Sequence, residues 1–206
     1  MLAPKTKDKN SGFTLLEMMI STAVILIMLI FVLANYRTAG SSGEISYSVE
    51  QILNGFRTAQ SKGVSGNLVE DPLSPPDRIY PNQGYAIYFE EASPNRFSIY
   101  GLHGVDKLDE EIFQSPVVFL VSLCGLPTPA PVPVPPPCSG AWDNNIASAE
   151  IIFNLAGDVI SNFKDSANSP LSGFDYFGGI IEHQKTGQQA YFYVSLITGI
   201  ASGDTL

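Results

Sequence analysis

A single carboxylate, Glu17, stands at the start of an otherwise apolar run, four residues after Phe13 in the stretch Ser11-Gly-Phe-Thr-Leu-Leu-Glu-Met-Met-Ile-Ser21. An ionised side chain at the centre of a bilayer costs about 2.5–3.5 kcal/mol on insertion scales, so an acid placed there marks an interaction with a specific partner. Other residues able to do chemistry are scattered. Ser139 next to Cys138, His103, and the acids Asp106, Asp109, Glu110 and Glu111 come without a nucleophile elbow, a phosphate loop or a spaced histidine pair, and we expect no enzyme. Acid oxygens suit calcium, but this spacing matches no known calcium loop, and a solvated acidic turn is the expectation. No cofactor and no metal site is expected.

The element that must carry Glu17 is a helix. From Met18 to Ala34 the only polar residues are Ser21 and Thr22, and Phe13–Tyr36 is long enough to cross a hydrocarbon core at about 1.5 Å per residue. Residues 1–12 are short and polar and carry Lys5, Lys7 and Lys9, which puts them on the cytoplasmic side by the positive-inside rule. Everything after Arg37 then lies outside the inner membrane. Cys124 and Cys138 fall in that exported part, where an even cysteine count favours a disulfide over two free thiols, and closing such a loop contributes about 3 kcal/mol in the chain-entropy model. Neither His103 nor His183 lies near them in sequence, which argues against a metal site.

The chain has 206 residues, 45% of them hydrophobic, enough for one membrane helix and one compact domain. Its formal charge is -9, and the part beyond residue 12, without three lysines and Asp8, carries -11. Such an excess repels phosphate backbones, so no nucleic acid partner is expected.

From Glu44 to Ala59, apolar residues recur at Ile45, Val49, Ile52, Leu53, Phe56 and Ala59, the spacing of a helix with one buried face. Gly40-Ser-Ser-Gly43 lies between this segment and the membrane run and leaves room for a bend or a loosened turn. If continuous from Phe13 to Lys62, the helix spans about 75 Å. Beyond Gly63 the texture changes to aromatic and β-branched runs separated by turn residues. Gly84–Glu90 and Arg96–Tyr100 flank Glu91-Ala-Ser-Pro-Asn95 as a hairpin, and further strands are expected at Val117–Ser122, Ala149–Leu155, Gly179–His183, Ala190–Leu196 and Ile200–Ser202. Asp71–Pro81 and the polyproline II stretch Pro127–Pro137 are expected as surface loops, the second an exposed recognition element or a plain spacer. The fold expected is α+β, a long N-terminal helix, half transmembrane and half amphipathic, packed on an antiparallel sheet. Residues 1–12 form a leader, 13–37 the membrane helix, 38–63 the amphipathic helix, and 64–206 a β-rich domain with a proline-rich loop at 126–137.

A lysine-bearing leader, glycine at its end, phenylalanine next, and glutamate four residues on at the head of an apolar helix together resemble the class III signal of type IV pilins and pseudopilins. Three weaker landmarks, Gly55-Phe-Arg-Thr-Ala-Gln-Ser-Lys62, Ile151-Ile-Phe-Asn-Leu-Ala-Gly157 and Val194-Ser-Leu-Ile-Thr-Gly199, are similar to those of the H-type pseudopilins and FimT-like minor pilins. The resemblance implies cleavage between Gly12 and Phe13 by a prepilin peptidase, N-methylation of Phe13, and pairing of Glu17 with the amino terminus of a neighbouring subunit. Two unit charges about 4 Å apart gain about 4 kcal/mol at an effective dielectric of 20, comparable to the insertion penalty. It also implies other pilin or pseudopilin subunits and an inner-membrane assembly platform as partners, and a pilus or pseudopilus as destination.

Many major pilins carry a proline partway along the membrane helix, whereas Phe13–Arg37 has none, which favours a minor subunit over a major pilin; a surface adhesin-type pilin is a further alternative. The rival readings are a secretory signal cut near Thr38-Ala39-Gly40 and an anchored exported protein that never polymerises. The first is disfavoured because Met18–Ala34 exceeds the usual core of about 7–15 residues and Glu17 would be unexplained. DNA uptake, known among FimT-like pilins, needs clustered Lys and Arg, and Ser202-Gly-Asp-Thr-Leu206 carries an acid and no base.

Overall fold

No proline interrupts the chain between Leu15 and Ser65, and the backbone there is one α-helix, α1 (Leu15–Ser65). The structure is a computed structural model that describes residues 14–70, 78–104, 106–128 and 137–206. Thr14 caps α1, its Oγ1 accepting the Glu17 amide at 3.2 Å. At the other end Gly66 turns into the left-handed region (φ 68) and Asn67 N–H reaches back to the Lys62 carbonyl, the six-to-one bond of a Schellman motif. Gly40-Ser-Ser-Gly43 keeps helical backbone, and α1 runs two residues past the expected end at 63. The chain divides into two compact units, Met1–Gly40 and Ser41–Leu206, and α1 contributes residues to each.

Thirteen strands follow among the described residues: β1 (Val69–Glu70), β2 (Arg78–Ile79), β3 (Gly84–Glu90), β4 (Arg96–His103), β5 (Asp106–Gln114), β6 (Val118–Pro127), β7 (Asp143–Ile146), β8 (Ser148–Phe153), β9 (Val159–Lys164), β10 (Pro170–Leu171), β11 (Phe174–His183), β12 (Gln189–Ser195) and β13 (Ala201–Thr205). They pair antiparallel into two main sheets, one in the order β10-β9-β8-β3-β4-β5 and one in the order β13-β12-β11-β6-β7, with β1 and β2 as a small ribbon. The expected single sheet is therefore two. Together with the apolar helix they make an α+β, pilin-like architecture.

The amphipathic part of α1 buries Ile45, Val49, Ile52, Leu53, Phe56 and Ala59 in one cluster with Ile87, Phe89, Phe97, Ile151 and Phe153 of the first sheet and Leu123, Phe177, Phe192 and Val194 of the second. Phe89 lies at the centre, its ring 5.7 Å from Phe56, 5.5 Å from Phe97, 5.8 Å from Phe177 and 5.3 Å from Phe192, so it touches the helix and both sheets. Two helix glycines let α1 sit this low. A Cβ at Gly55 would stand 2.8 Å from the Phe97 ring, and one at Gly63 would stand 2.3 Å from the Phe153 carbonyl oxygen.

Two expectations are corrected. The acidic segment is not a solvated turn but β5, the end strand of the six-stranded sheet, where exposed charges on a long edge discourage pairing with other chains. The proline-rich stretch does not begin at Leu126, because β6 continues to Pro127, opposite β11 through the pairs Cys124 with Gly178, Gly125 with Phe177 and Leu126 with Tyr176. Gly125 is needed there, since a Cβ would stand 2.5 Å from the Phe174 ring. Residues 129–136 of that stretch and 71–77 of the other proline-bearing loop lie outside the described residues.

Because Phe89 joins all three layers, Phe89→Ala is expected to lower the unfolding free energy by about 3–5 kcal/mol, measured by urea denaturation followed by circular dichroism.

Candidate assembly segment

Leu15–Leu33 is apolar enough and long enough to cross a membrane, with a mean hydropathy of 2.6 and none of it buried within the chain. Its polar groups are largely handled locally. Ser21 Oγ donates to the Glu17 carbonyl at 2.7 Å, and Thr22 Oγ1 lies 3.0 Å from the carbonyls of Met18 and Met19, so neither hydroxyl needs an outside partner in a lipid medium. What remains is the Glu17 carboxyl, the third residue of the helix after the Thr14 cap, exposed and surrounded by exposed Leu15, Leu16, Met18 and Met19. A negative charge in the first turn is favoured by the free amides and dipole of the helix start. The arrangement holds one acid at the head of an apolar rod, where it can accept hydrogen bonds from a cation, and among the described residues no other acid or base stands beside it. Gly12 and Phe13, the expected processing residues, lie outside the described residues.

The other candidate residues stay apart. His103 ends β4, with Nδ1 3.3 Å from the Tyr80 carbonyl oxygen. Asp109 and Glu111 reach Lys62 of α1 at 3.3 and 3.8 Å, and Asp109 does so from a left-handed backbone (φ 52) at an irregularity in the pairing of β4 with β5. No group of three or more His, Cys, Asp or Glu is placed to hold a metal ion among the described residues. Cys124 and Cys138 are disulfide-bonded with Cα atoms 5.4 Å apart, packed on Leu126, Trp142, Tyr176 and Tyr193 on the side of the second sheet away from α1.

Two constellations have no counterpart in the sequence reading. The turn between β11 and β12 grips the start of the domain's helix: Gln188 Oε1 accepts from Ser41 Oγ at 2.9 Å, and His183 Nε2 lies 2.7 Å from Glu44 Oε2. His183 Nδ1 accepts the Lys185 amide at 3.3 Å, which leaves Nε2 as the nitrogen that donates to Glu44. These residues are some 140 positions apart in the chain, so no periodicity could connect them. The second lies on the outer side of the six-stranded sheet, where the buried Tyr100 donates its hydroxyl to Glu150 Oε1 at 2.5 Å, Asn162 donates to Glu150 Oε2 at 2.8 Å, and Lys107 Nζ sits 4.1 Å above the Tyr100 ring. Burial first, and the bond to Glu150 second, hold this phenol protonated well above the ordinary value of 10.0.

A raised phenol value means that stability is full below about pH 10 and falls as the pH climbs above it, because only the unfolded chain then ionises. Tyr100→Phe is expected to flatten that fall, read as unfolding midpoints at pH 9 to 11.5; Tyr80, Tyr85 and Tyr88, also raised by burial, account for a remaining slope.

Residues 7–33 match the family model of the prokaryotic N-terminal methylation motif. No curated protein and no solved structure matches the chain. The match begins in the lysine-bearing stretch, spans Gly12, Phe13 and Glu17, and ends at Leu33 with the membrane-length run. The chain thus carries the prokaryotic N-terminal methylation motif at the head of an exposed apolar helix, with a helix-on-sheets exported part, and is consistent with a type IV pilin-like protein.

Proposed function

We propose that this protein is a minor pilin or pseudopilin, a non-enzymatic subunit that a prepilin peptidase cuts after Gly12 and methylates at Phe13. The apolar helix first anchors it in the inner membrane with the domain exported. On contact with the assembly platform the helix then packs among those of other pilin subunits in a type IV pilus or a type II secretion pseudopilus. The observation that carries this reading is Glu17, a lone carboxylate in the first turn of an exposed apolar helix, inside a matched methylation motif. A positive amino terminus on a neighbouring subunit offsets the cost of that charge and fixes the axial register of one helix on the next.

The finer assignment to the H-type pseudopilins and FimT-like minor pilins rests on the three short landmarks and on the absence of proline from 13–37. Their places in the fold accord with packing roles. Gly55 and Lys62 lie where α1 meets the first sheet, Ile151–Phe153 belong to β8 in the core, and Gly199 sits in the β12–β13 turn against Gln60, Phe153 and Val159.

The amino-terminal residue and its mass, measured on membrane-extracted protein with and without a co-expressed prepilin peptidase, test the first step. The expected result is N-methylated Phe13 only when the peptidase is present; a start near Gly40, or an uncut chain, overturns it. The second step is tested with Glu17→Ala, which is expected to leave the domain folded and cut filament incorporation by at least about tenfold, the equivalent of about 1.4 kcal/mol. Equal incorporation returns the protein to the anchored, non-polymerising reading.

A further inference from the structure

Among the described residues each main sheet has two end strands, and three of these four are guarded against strand addition. β5 is lined with Asp106, Lys107, Asp109, Glu110 and Glu111 and interrupted by a register shift; β10 is two residues long and begins with Pro170; β7 is four residues long and irregularly paired. β13 carries a single charge, Asp204, and none of the other devices. It pairs with β12 over five consecutive residues without a shift, contains no lysine and no proline, and is flanked by Ile200 and Leu206, each about two-thirds exposed.

The hydrogen bonds decide which groups face outward. Ser195 N–H donates to the Ile200 carbonyl and Leu206 N–H to the Gln189 carbonyl, so the even-numbered residues of this strand turn their backbone groups toward β12. In an antiparallel ladder the parity alternates, so Ala201, Gly203 and Thr205 turn theirs to the free edge. We propose that this edge is the interface for a second copy of the same chain, pairing antiparallel about Gly203. In that register Gly203 meets Gly203 and Ala201 meets Thr205, and each outward N–H faces an outward carbonyl. On the side chains, Ile200 of one copy meets Leu206 of the other, covering two exposed apolar groups at each end. Asp204 meets Ser202, so no two acids oppose each other despite the negative charge of the chain. A one-residue slip would oppose even with odd positions and lose the hydrogen-bond match. Thr205 N–H at present donates to the Asp204 carboxylate at 2.8 Å; when the edges meet it donates instead to the Ala201 carbonyl of the second copy and the carboxylate is left to water.

The contact is isologous and closes with two chains, so it is separate from any helix-on-helix packing along a filament. An edge of five residues is small for a stable dimer, and the pairing is of the transient class.

Two differently tagged full-length copies, co-expressed and extracted in mild detergent, test this by co-purification. Ser202→Lys in both copies places a cation opposite each Asp204 and is expected to raise recovery of the second tag about fivefold; Ser202→Asp places acid against acid and is expected to lower it about fivefold. Ser202 is exposed, and unchanged thermal melts check that the fold is intact in both variants. The register is read by oxidation: a copy with Ser202→Cys and a copy with Asp204→Cys are expected to cross-link, while Ser202→Cys with Ile112→Cys on β5 does not. Equal recovery for the Lys and Asp variants, or cross-linking no faster than the Ile112 control, overturns the proposal and assigns any association to the apolar helices.

Discussion

The exported unit is organised by one contact, the ring of Phe89 held between Phe56 of the helix and Phe177 and Phe192 of the second sheet. A sheet buries one face and an amphipathic helix one stripe, and here three such surfaces must share a single core. Stacked aromatic rings fill that junction with large apolar area and few rotamers. The helix reaches them only because Gly55 and Gly63 remove the side chains that would hold it off the first sheet. With α1 seated, β3 is covered on its inner side, and the inward residues of both sheets become a closed interior rather than two exposed faces.

The two units obey different solvents. In Ser41–Leu206 the apolar side of α1 is satisfied by protein, whereas in Leu15–Leu33 the apolar surface is exposed all round and is satisfied only by lipid or by other helices. Glu17 belongs to the second environment, and in the function proposed above its charge is what distinguishes a segment that takes a partner from a plain anchor. The grip of Gln188 and His183 on Ser41 and Glu44 stands at the first residues of the exported unit, where it fixes the start of the packed part of the helix.

Several elements were legible because a periodicity carried them. The six buried residues from Ile45 to Ala59 are those of the helical repeat, and the β3–β4 hairpin follows two aromatic and β-branched runs around the Glu91-Ala-Ser-Pro-Asn95 turn. β5 was illegible because its residues answer to an edge, where charge serves solubility and apolar alternation is not required. The expected strand Gly179–His183 misses the first half of β11, Phe174–Gly178; in the fold, Cβ atoms at Gly178 and Gly179 would press on the carbonyl oxygens of Phe192 and Ser122. Cys124 and Cys138 announce themselves by number and compartment, but the packing of their bond on Trp142 and Tyr176 depends on β6 running on through Gly125.

By itself the sequence determined the apolar helix, the isolated acid at its head, the amphipathic continuation and the change to strands after residue 63. Those features depend on residue type and on spacing within a few turns, which local geometry reads directly. Tertiary structure alone decided that the strands divide into two sheets, that β5 and β13 are end strands, that Tyr100 is sealed against Glu150, and that a turn near residue 188 holds the helix near residue 41. Each joins residues tens to more than a hundred positions apart, and their proximity follows from which surfaces could be buried together, a condition that no local pattern records.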